Sequence, residues 1–161
     1  MSGRKFRQGA IEGVKVTTLL VHEDSRGWLC ELFREDELDK SLWPAMSYVS
    51  STKPGVVRGP HEHRDQTDLF CFVGPSRFRV VLWDNRPQSP TFGNRMEVEL
   101  GEGKPGAVIV PAGVVHGYKN IGDRDGWVFN LPNRLYRGKA RAEAVDEVRH
   151  EQDPDTDFRM E

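Results

Sequence analysis

The chain has 161 residues, room for one domain, and is 37% hydrophobic and 30% charged, the balance of a soluble globular protein with its own core. Its 23 Lys and Arg against 25 Asp and Glu leave a formal net charge of -2, which excludes a protein held to nucleic acid or to a membrane surface by bulk charge. No apolar run approaches the roughly 20 residues of a membrane span, the basic stretch Met1–Gln8 lacks the apolar core of a signal peptide, and Cys30 and Cys71 make no disulfide framework, so reduced thiols and a cytoplasmic location are expected.

Val14–Val21 (VKVTTLLV) and Trp28–Phe33 (WLCELF) are the first two predicted strands, and Glu35–Leu42 (EDELDKSL) reads as helical. Met46–Ser51, Gly55–Arg58, Leu69–Val73, Phe78–Trp83, Arg95–Leu100, Ala107–Val110 and Trp127–Leu131 continue as short strands. They are rich in β-branched and aromatic residues and are separated by Gly, Pro, Asn and Asp. Part of Ala140–His150 reads as helical, and Arg137–Glu161 is dense in mixed charge, the pattern of a solvated helix and tail. Glycine and proline are spread along the chain rather than pooled in a linker, so residues 1–161 form a single domain with a core at about 14–136. Many short strands in a small domain predict an all-β fold, a jelly roll with short flanking helices. Cys30 and Cys71 are expected as small buried hydrophobes. Trp28, Trp83 and Trp127 are expected in the core, with Trp28, just after Arg26-Gly27, also within reach of a ligand.

Five histidines are few enough for their positions to carry information. His61 and His63 are two residues apart, so on a strand their imidazoles share a face. His116 follows the turn signal Pro111-Ala-Gly113. Imidazole titrates near neutrality and serves as a proton acceptor or, when neutral, as a metal ligand. A shared site requires the rings at 61 and 116 to project into one hollow of a curled antiparallel sheet. His22 and His150 lack such a context and are predicted at the surface.

The segments Gly55-x5-His61-x-His63-x4-Asp68-x5-Gly74 and Gly106-x4-Pro111-x-Gly113-x2-His116-x3-Asn120 resemble the two motifs of the cupins, whose fold is a double-stranded β-helix. A narrower resemblance rests on Asp24-Ser-Arg26-Gly27, Glu31-Leu-Phe33, Val57-Arg58-Gly59-Pro60-His61, Ser89-Pro90-Thr91-Phe92-Gly93 and Pro111-x-Gly113-x2-His116-Gly117, in that order. These pieces resemble the dTDP-4-dehydrorhamnose 3,5-epimerases. The resemblance implies a strand-exchanged homodimer and a dTDP-linked 4-keto sugar as substrate, in deoxysugar or polysaccharide biosynthesis, with no cofactor and no required metal. It implies His61 as the base, and in the reading built on it His63 or His116 would relay protons. Arg58 would hold phosphate or enolate charge. Arg26 and Glu31 would reach nucleotide or sugar across the dimer interface, Asp68 is counted with the substrate-binding residues, and His116, Tyr118 and Tyr136 would line the pocket.

Several positions depart from that family. Its catalytic tyrosine falls at Asn130, its diphosphate-binding lysine at Asp68, and its base-reading polar positions near Met46 and Tyr48. Its orienting aspartate belongs to a C-terminal segment expected past Glu161. His63 stands where the family has a glutamine, so His61, His63, His116 and Asp68 also compose a ligand set for Zn, Fe, Mn or Ni. The His-x-His pair followed by Arg64 is similar, too, to the dTDP-sugar 3,4-ketoisomerases, in which two histidines move the protons. The readings beside an epimerase are thus a ketoisomerase, a metal-binding cupin enzyme or sensor, and an inactive sugar-nucleotide binding module.

Overall fold

Strands that alternate apolar and polar residues must bury one face, and two such sheets do so against each other. The computed structural model describes residues 4–161, so the first three residues of the basic N-terminal stretch lie outside the described part. One sheet has six strands: β1 (Arg7–Gln8), β6 (Val57–Glu62), β8 (Arg77–Asp84), β9 (Asn94–Gly101), β11 (Val114–Asn120) and β13 (Val148–Arg149), in the order β1-β9-β8-β11-β6-β13. The other has five: β2 (Lys15–Thr18), β5 (Tyr48–Thr52), β7 (Asp68–Phe72), β10 (Gly106–Val110) and β12 (Gly126–Asn130), in the order β2-β10-β7-β12-β5. β3 (Val21–Asp24) and β4 (Gly27–Cys30) form a separate hairpin. All pairings are antiparallel except β1 with β9. The all-β jelly roll expected from the strand pattern, and implied by the cupin resemblance, is the fold observed.

β7 shows how the alternation is used. Phe70 and Phe72 point between the sheets and join Phe78, Val80, Leu82, Val108, Val110, Val114 and Val128. Leu69 and Cys71 point the other way, into a layer with Ala107 and Leu131 roofed by Leu19, Leu32, Leu38 and Phe129. The same period of two places Asp68 on the inner face with Phe70, where it is wholly buried.

The structure corrects several expectations. Val14–Val21 is divided between β2 and β3 rather than forming one strand. β11 is not predicted as a strand, because VVHGYKN lacks a continuous apolar run; hydrogen bonding on both sides, to β8 and β6, overrides its weak propensity. The helix expected at Glu35–Leu42 reduces to a 3-10 turn, Lys40–Leu42, with Asp39 accepting the Ser41 amide at 2.9 Å. The segment lacks the apolar stripe that would dock a longer helix. The helix expected within Ala140–His150 is also absent. Only the turns Lys139–Arg141 and His150–Gln152 form, and Arg137, Gly138, Ala140 and Arg141 all have left-handed φ, between 54° and 68°, which no helix accommodates.

The charged C-terminal stretch is not a solvated tail. β13 pairs with Glu62 and His61 of β6. The Asp146 carboxylate accepts the backbone amides of Arg64, Asp65 and Gln66 at 2.8, 3.0 and 2.9 Å. Phe158 is 7% exposed and packs with Val81, Trp83 and Val115 on the outer face of the six-stranded sheet, its ring centroid 5.7 Å from that of Trp83. His150, expected at the surface, is half-buried, with its ring against Phe158 and Nε2 3.0 Å from Glu62 Oε1. Charge density hides this anchoring, because a few aromatic residues suffice to dock an otherwise polar segment. Trp83 is in the core as expected, but Trp28 and Trp127 are half-exposed, on the hairpin and on an outward position of β12.

Phe158→Ala is expected to destabilise the protein by about 3 kcal/mol, the usual range for a buried aromatic truncated to alanine. Arg159→Ala, at an exposed neighbour, is expected to stay within about 0.5 kcal/mol. Urea denaturation of the two variants checks this.

Candidate active site

β6 and β11 run side by side, and His61 lies directly opposite His116. Three residues further back along β6, Arg58 lies opposite Tyr118, which is only two residues from His116. β6 therefore holds one extra residue, a β-bulge. The bulge changes which way side chains point. Residues three apart on a regular strand face opposite sides, whereas here Arg58 and His61 both face the interior. Gly59 makes this possible: it has φ 83°, and a Cβ there would stand 2.7 Å from the His116 carbonyl oxygen.

The three histidines meet as expected. Ring centroids are 4.5 Å apart for His61 and His116, 5.5 Å for His61 and His63, and 5.9 Å for His63 and His116. Asp68 lies behind them on the opposing sheet. Its Oδ2 is 3.1 Å from His63 Nε2 and 3.4 Å from His116 Nε2, off the hydrogen-bonding line in both cases. Its Oδ1 accepts from Gln66 Nε2 at 2.9 Å and from Asn130 Nδ2 at 3.0 Å.

The charge states follow from these neighbours. Burial opposes ionisation of Asp68, but the adjacent His116 and His63 outweigh it and hold the carboxyl well below its usual range. Burial also works against a charged His63, but Asp68, the Asp146 carbonyl and Glu147 together outweigh it and raise His63 to about 9. His63 Nδ1 meets the Asp146 carbonyl, and Nε2 lies 3.1 Å from the Asp68 carboxylate and 3.2 Å from the Gln66 side-chain nitrogen. His61 goes the other way. Burial, then the His116 and His63 rings, lower it to about 2, against weaker help from Asp68. Its Nε2 is 3.8 Å from Glu147 Oε1. His116 donates from Nδ1 to the Val114 carbonyl at 2.9 Å, which fixes that ring's orientation.

His61 and His63, but not His116, border a cavity of about 1170 Å³ whose lining also includes Tyr48, Arg58, Tyr118 and Tyr136. Residues 132–147 line another side of it, bringing Arg134, Arg137, Lys139 and Arg141 to the same space. Arg58 is held there by Nε to Thr52 Oγ1 at 2.9 Å and by Nη2 to the Ser51 carbonyl at 2.7 Å. His116 is 2% exposed and supports the wall from behind.

Not all residues predicted to bind substrate come to this cavity. Asp68 is sealed beneath the histidines, out of reach of a ligand, because its place on the inner face of β7 buries it completely. Arg26 and Glu31 do not line the cavity of their own chain. Arg26 is exposed on the β3–β4 turn and paired with Asp24, and Glu31 is paired with Arg34 at 3.2 Å. The Ser89-Pro90-Thr91 motif is structural: Ser89 and Thr91 hydroxyls and Arg86 all converge on the carboxylate of buried Asp84. Sequence reading misses Glu147, Asp146 and Gln66, which carry no motif. It notes Tyr48 and Asn130 but not that they are cross-strand partners.

The three imidazoles offer nitrogens within 4.8 Å of one another, a spacing that suits a divalent cation. The Asp68 carboxylate lies against two of those nitrogens, at 3.1 and 3.4 Å.

The model of the dTDP-4-dehydrorhamnose 3,5-epimerase family matches residues 8–151. The chain belongs to this family. Two relatives are an epimerase described as probable in low-salt glycan biosynthesis, Agl13 of Haloferax volcanii, 41% identical with 78% of this chain and 81% of that protein covered, and the spore coat polysaccharide biosynthesis protein SpsL of Bacillus subtilis, 39% identical over 70% of this chain and 74% of that one. The crystal structure of a dTDP sugar isomerase from Desulfovibrio desulfuricans G20 superimposes with a TM-score of 0.78 at 26% identity, covering 89% of this chain and 87% of that one. The protein is a nucleotide-sugar epimerase-like cupin.

Asp68→Asn removes the charge that keeps His63 protonated but leaves its burial. The His63 titration is then expected to fall from about 9 to below the ordinary 6.5, read from ring resonances by NMR. The wild-type value lies above the unfolded one, so this interaction contributes fully below about pH 6.5 and is lost as pH rises through about 9. The urea midpoint of the wild type should decline across that window, and that of Asp68→Asn should not.

Proposed function

We propose that the protein epimerises a nucleotide-linked 4-keto-6-deoxy sugar by removing the proton next to the keto group, in the assembly of a surface glycan or polysaccharide. One observation carries this reading: a half-buried His61, whose surroundings disfavour its charged form, stands beside His63, whose charged form Asp68 favours, and the guanidinium of Arg58, all bordering one cavity large enough for a nucleotide sugar. A carbon acid next to a carbonyl is weak, so its ionisation needs a positioned base and positive charge near the developing enolate. His61 is unprotonated through the neutral range, the form a general base requires. His63 and Arg58 supply the fixed positive charge, and His116, tied to the Val114 carbonyl, holds the His61 ring in place. Asp68 keeps His63 charged. No metal or cofactor is required in this scheme. The family match and the glycan and polysaccharide relatives support it.

The cations at 134, 137, 139 and 141 suit the diphosphate of such a substrate. We extend the proposal to a homodimer, in which the hairpin of one copy would bring its Arg26 and Glu31 to the cavity of the other. The hairpin's Trp28 and Leu29 are 55% and 61% exposed, and such apolar side chains favour burial against a second copy. Cys30 and Cys71 are free thiols, consistent with a cytoplasmic location.

In D2O the wild type should wash deuterium into a dTDP-4-keto-6-deoxy sugar next to the carbonyl, and His61→Ala should slow this by about 100-fold or more. Absence of exchange in the wild type with intact nucleotide binding would overturn the enzymatic reading. Elemental analysis showing stoichiometric metal that disappears in His63→Ala would overturn the metal-free scheme. The exchange rate should be flat from pH 6 to 8 and fall above about pH 9, as His63 loses its proton. Light scattering should give twice the chain mass, with Trp28→Glu shifting it to the monomer.

A further inference from the structure

Inversion at a carbon needs two groups: a base that removes a proton from one face and an acid that returns one to the other. The base side lies on the six-stranded sheet, where β6 and β11 carry His61 and His116. Facing groups must come from the five-stranded sheet. The family's tyrosine position on that sheet is occupied by Asn130, which has no proton of useful acidity to give.

Asn130 is not idle. Its Nδ2 donates to Asp68 Oδ1 at 3.0 Å and to Tyr48 Oη at 2.9 Å. Tyr48 is its direct cross-strand partner, on the neighbouring strand β5. The inward face of β5 is a row of hydroxyls, Tyr48, Ser50 and Thr52. Ser50 Oγ meets Tyr118 Oη at 3.1 Å, and Thr52 Oγ1 receives Arg58. Tyr48 itself lines the cavity. We propose that Tyr48 is the catalytic acid of this enzyme: the phenol missing from one strand is supplied by the strand beside it, and Asn130 positions it.

Three observations favour Tyr48 over the other cavity tyrosines. Its oxygen accepts the bond from Asn130, so its own hydrogen is free to point at a ligand. Burial, with the field of Asp68 and its neighbours, raises its pKa to about 12 against the Asn130 hydrogen bond, so the phenol stays protonated. Its strand belongs to the sheet opposite His61. Tyr118, by contrast, is on β11, in the same sheet as the base, and its hydroxyl is engaged with Ser50. Tyr136 lies in the segment after β12 and is exposed to the same degree as Tyr48, 50% against 47%, but among the described residues no hydrogen bond holds its hydroxyl, whereas Asn130 fixes that of Tyr48.

The step balances. His61 takes the proton from the carbon next to the carbonyl, and the C–H electron pair becomes the enolate. The enolate π electrons then form a new C–H bond to the Tyr48 proton from the other face, the carbonyl re-forms, the His61 imidazolium gives its proton to water, and the Tyr48 phenolate takes one back from water. The assignment rests on the epimerase reading above, and the two fail separately.

The experiment measures solvent deuterium exchange and net inversion on the same dTDP-4-keto-6-deoxy sugar for wild type, Tyr48→Phe and the exchanged pair Y48N/N130Y. In Tyr48→Phe, His61 still removes and returns the proton on its own face, so exchange with retention should persist within about fivefold while inversion falls by at least about 100-fold. Y48N/N130Y, which moves the phenol back across the strand pair, should recover inversion. Normal inversion by Tyr48→Phe would overturn the assignment and leave the epimerase reading standing, as would parallel loss of exchange and inversion in a variant with an unchanged melting transition. Absence of exchange in the wild type would overturn both.

Discussion

A carboxylate with no solvent contact is the constraint around which this site is arranged. Asp68 reaches its place because β7 alternates, and the face that takes Phe70 and Phe72 into the core takes Asp68 with them. An unpaired charge there would be prohibitive. Asp68 is held by two imidazoles on one side and by the amides of Gln66 and Asn130 on the other. One buried anion thus favours the charged form of half-buried His63, while burial and the neighbouring rings favour the neutral form of His61. The division of labour between His61 and His63, identical in chemistry and two residues apart, comes from their surroundings.

The C-terminal segment completes this arrangement from outside. β13 extends the six-stranded sheet alongside His61, Glu147 approaches the same ring, and the Asp146 carbonyl faces His63. Asp146 also ties down the amides of residues 64–66, the turn that joins the histidine strand to the strand of Asp68. A segment that belongs to the last quarter of the chain therefore governs the orientation and charge of residues in its middle. Phe158, seated on Trp83, keeps it in place.

Much of this was legible in the sequence. The strand pattern predicts the jelly roll, and the spacing of His61, His63 and His116 predicts a shared hollow, because period-two alternation and turn chemistry act locally. What depends on pairing between distant strands was not legible. Asp68 reads as a residue at the ligand, since nothing in its neighbours announces that it lies behind the histidines. Tyr48 and Asn130 read as separate departures until register makes them partners. The left-handed residues 137–141 read as helical because charge patterns carry no information on φ. Arg26 and Glu31 read as cavity residues, although within one chain the hairpin holds them away from it.

The extra residue in β6 has a further consequence. By setting four residues against three, it turns Arg58 to the same side as His61, and Gly59 absorbs the crowding against the His116 carbonyl. Chain length between positions 57 and 61 is thereby locked to catalysis rather than to folding alone. A single-residue gap inside β6 would leave the two sheets packed, the histidine in place, and the guanidinium facing water.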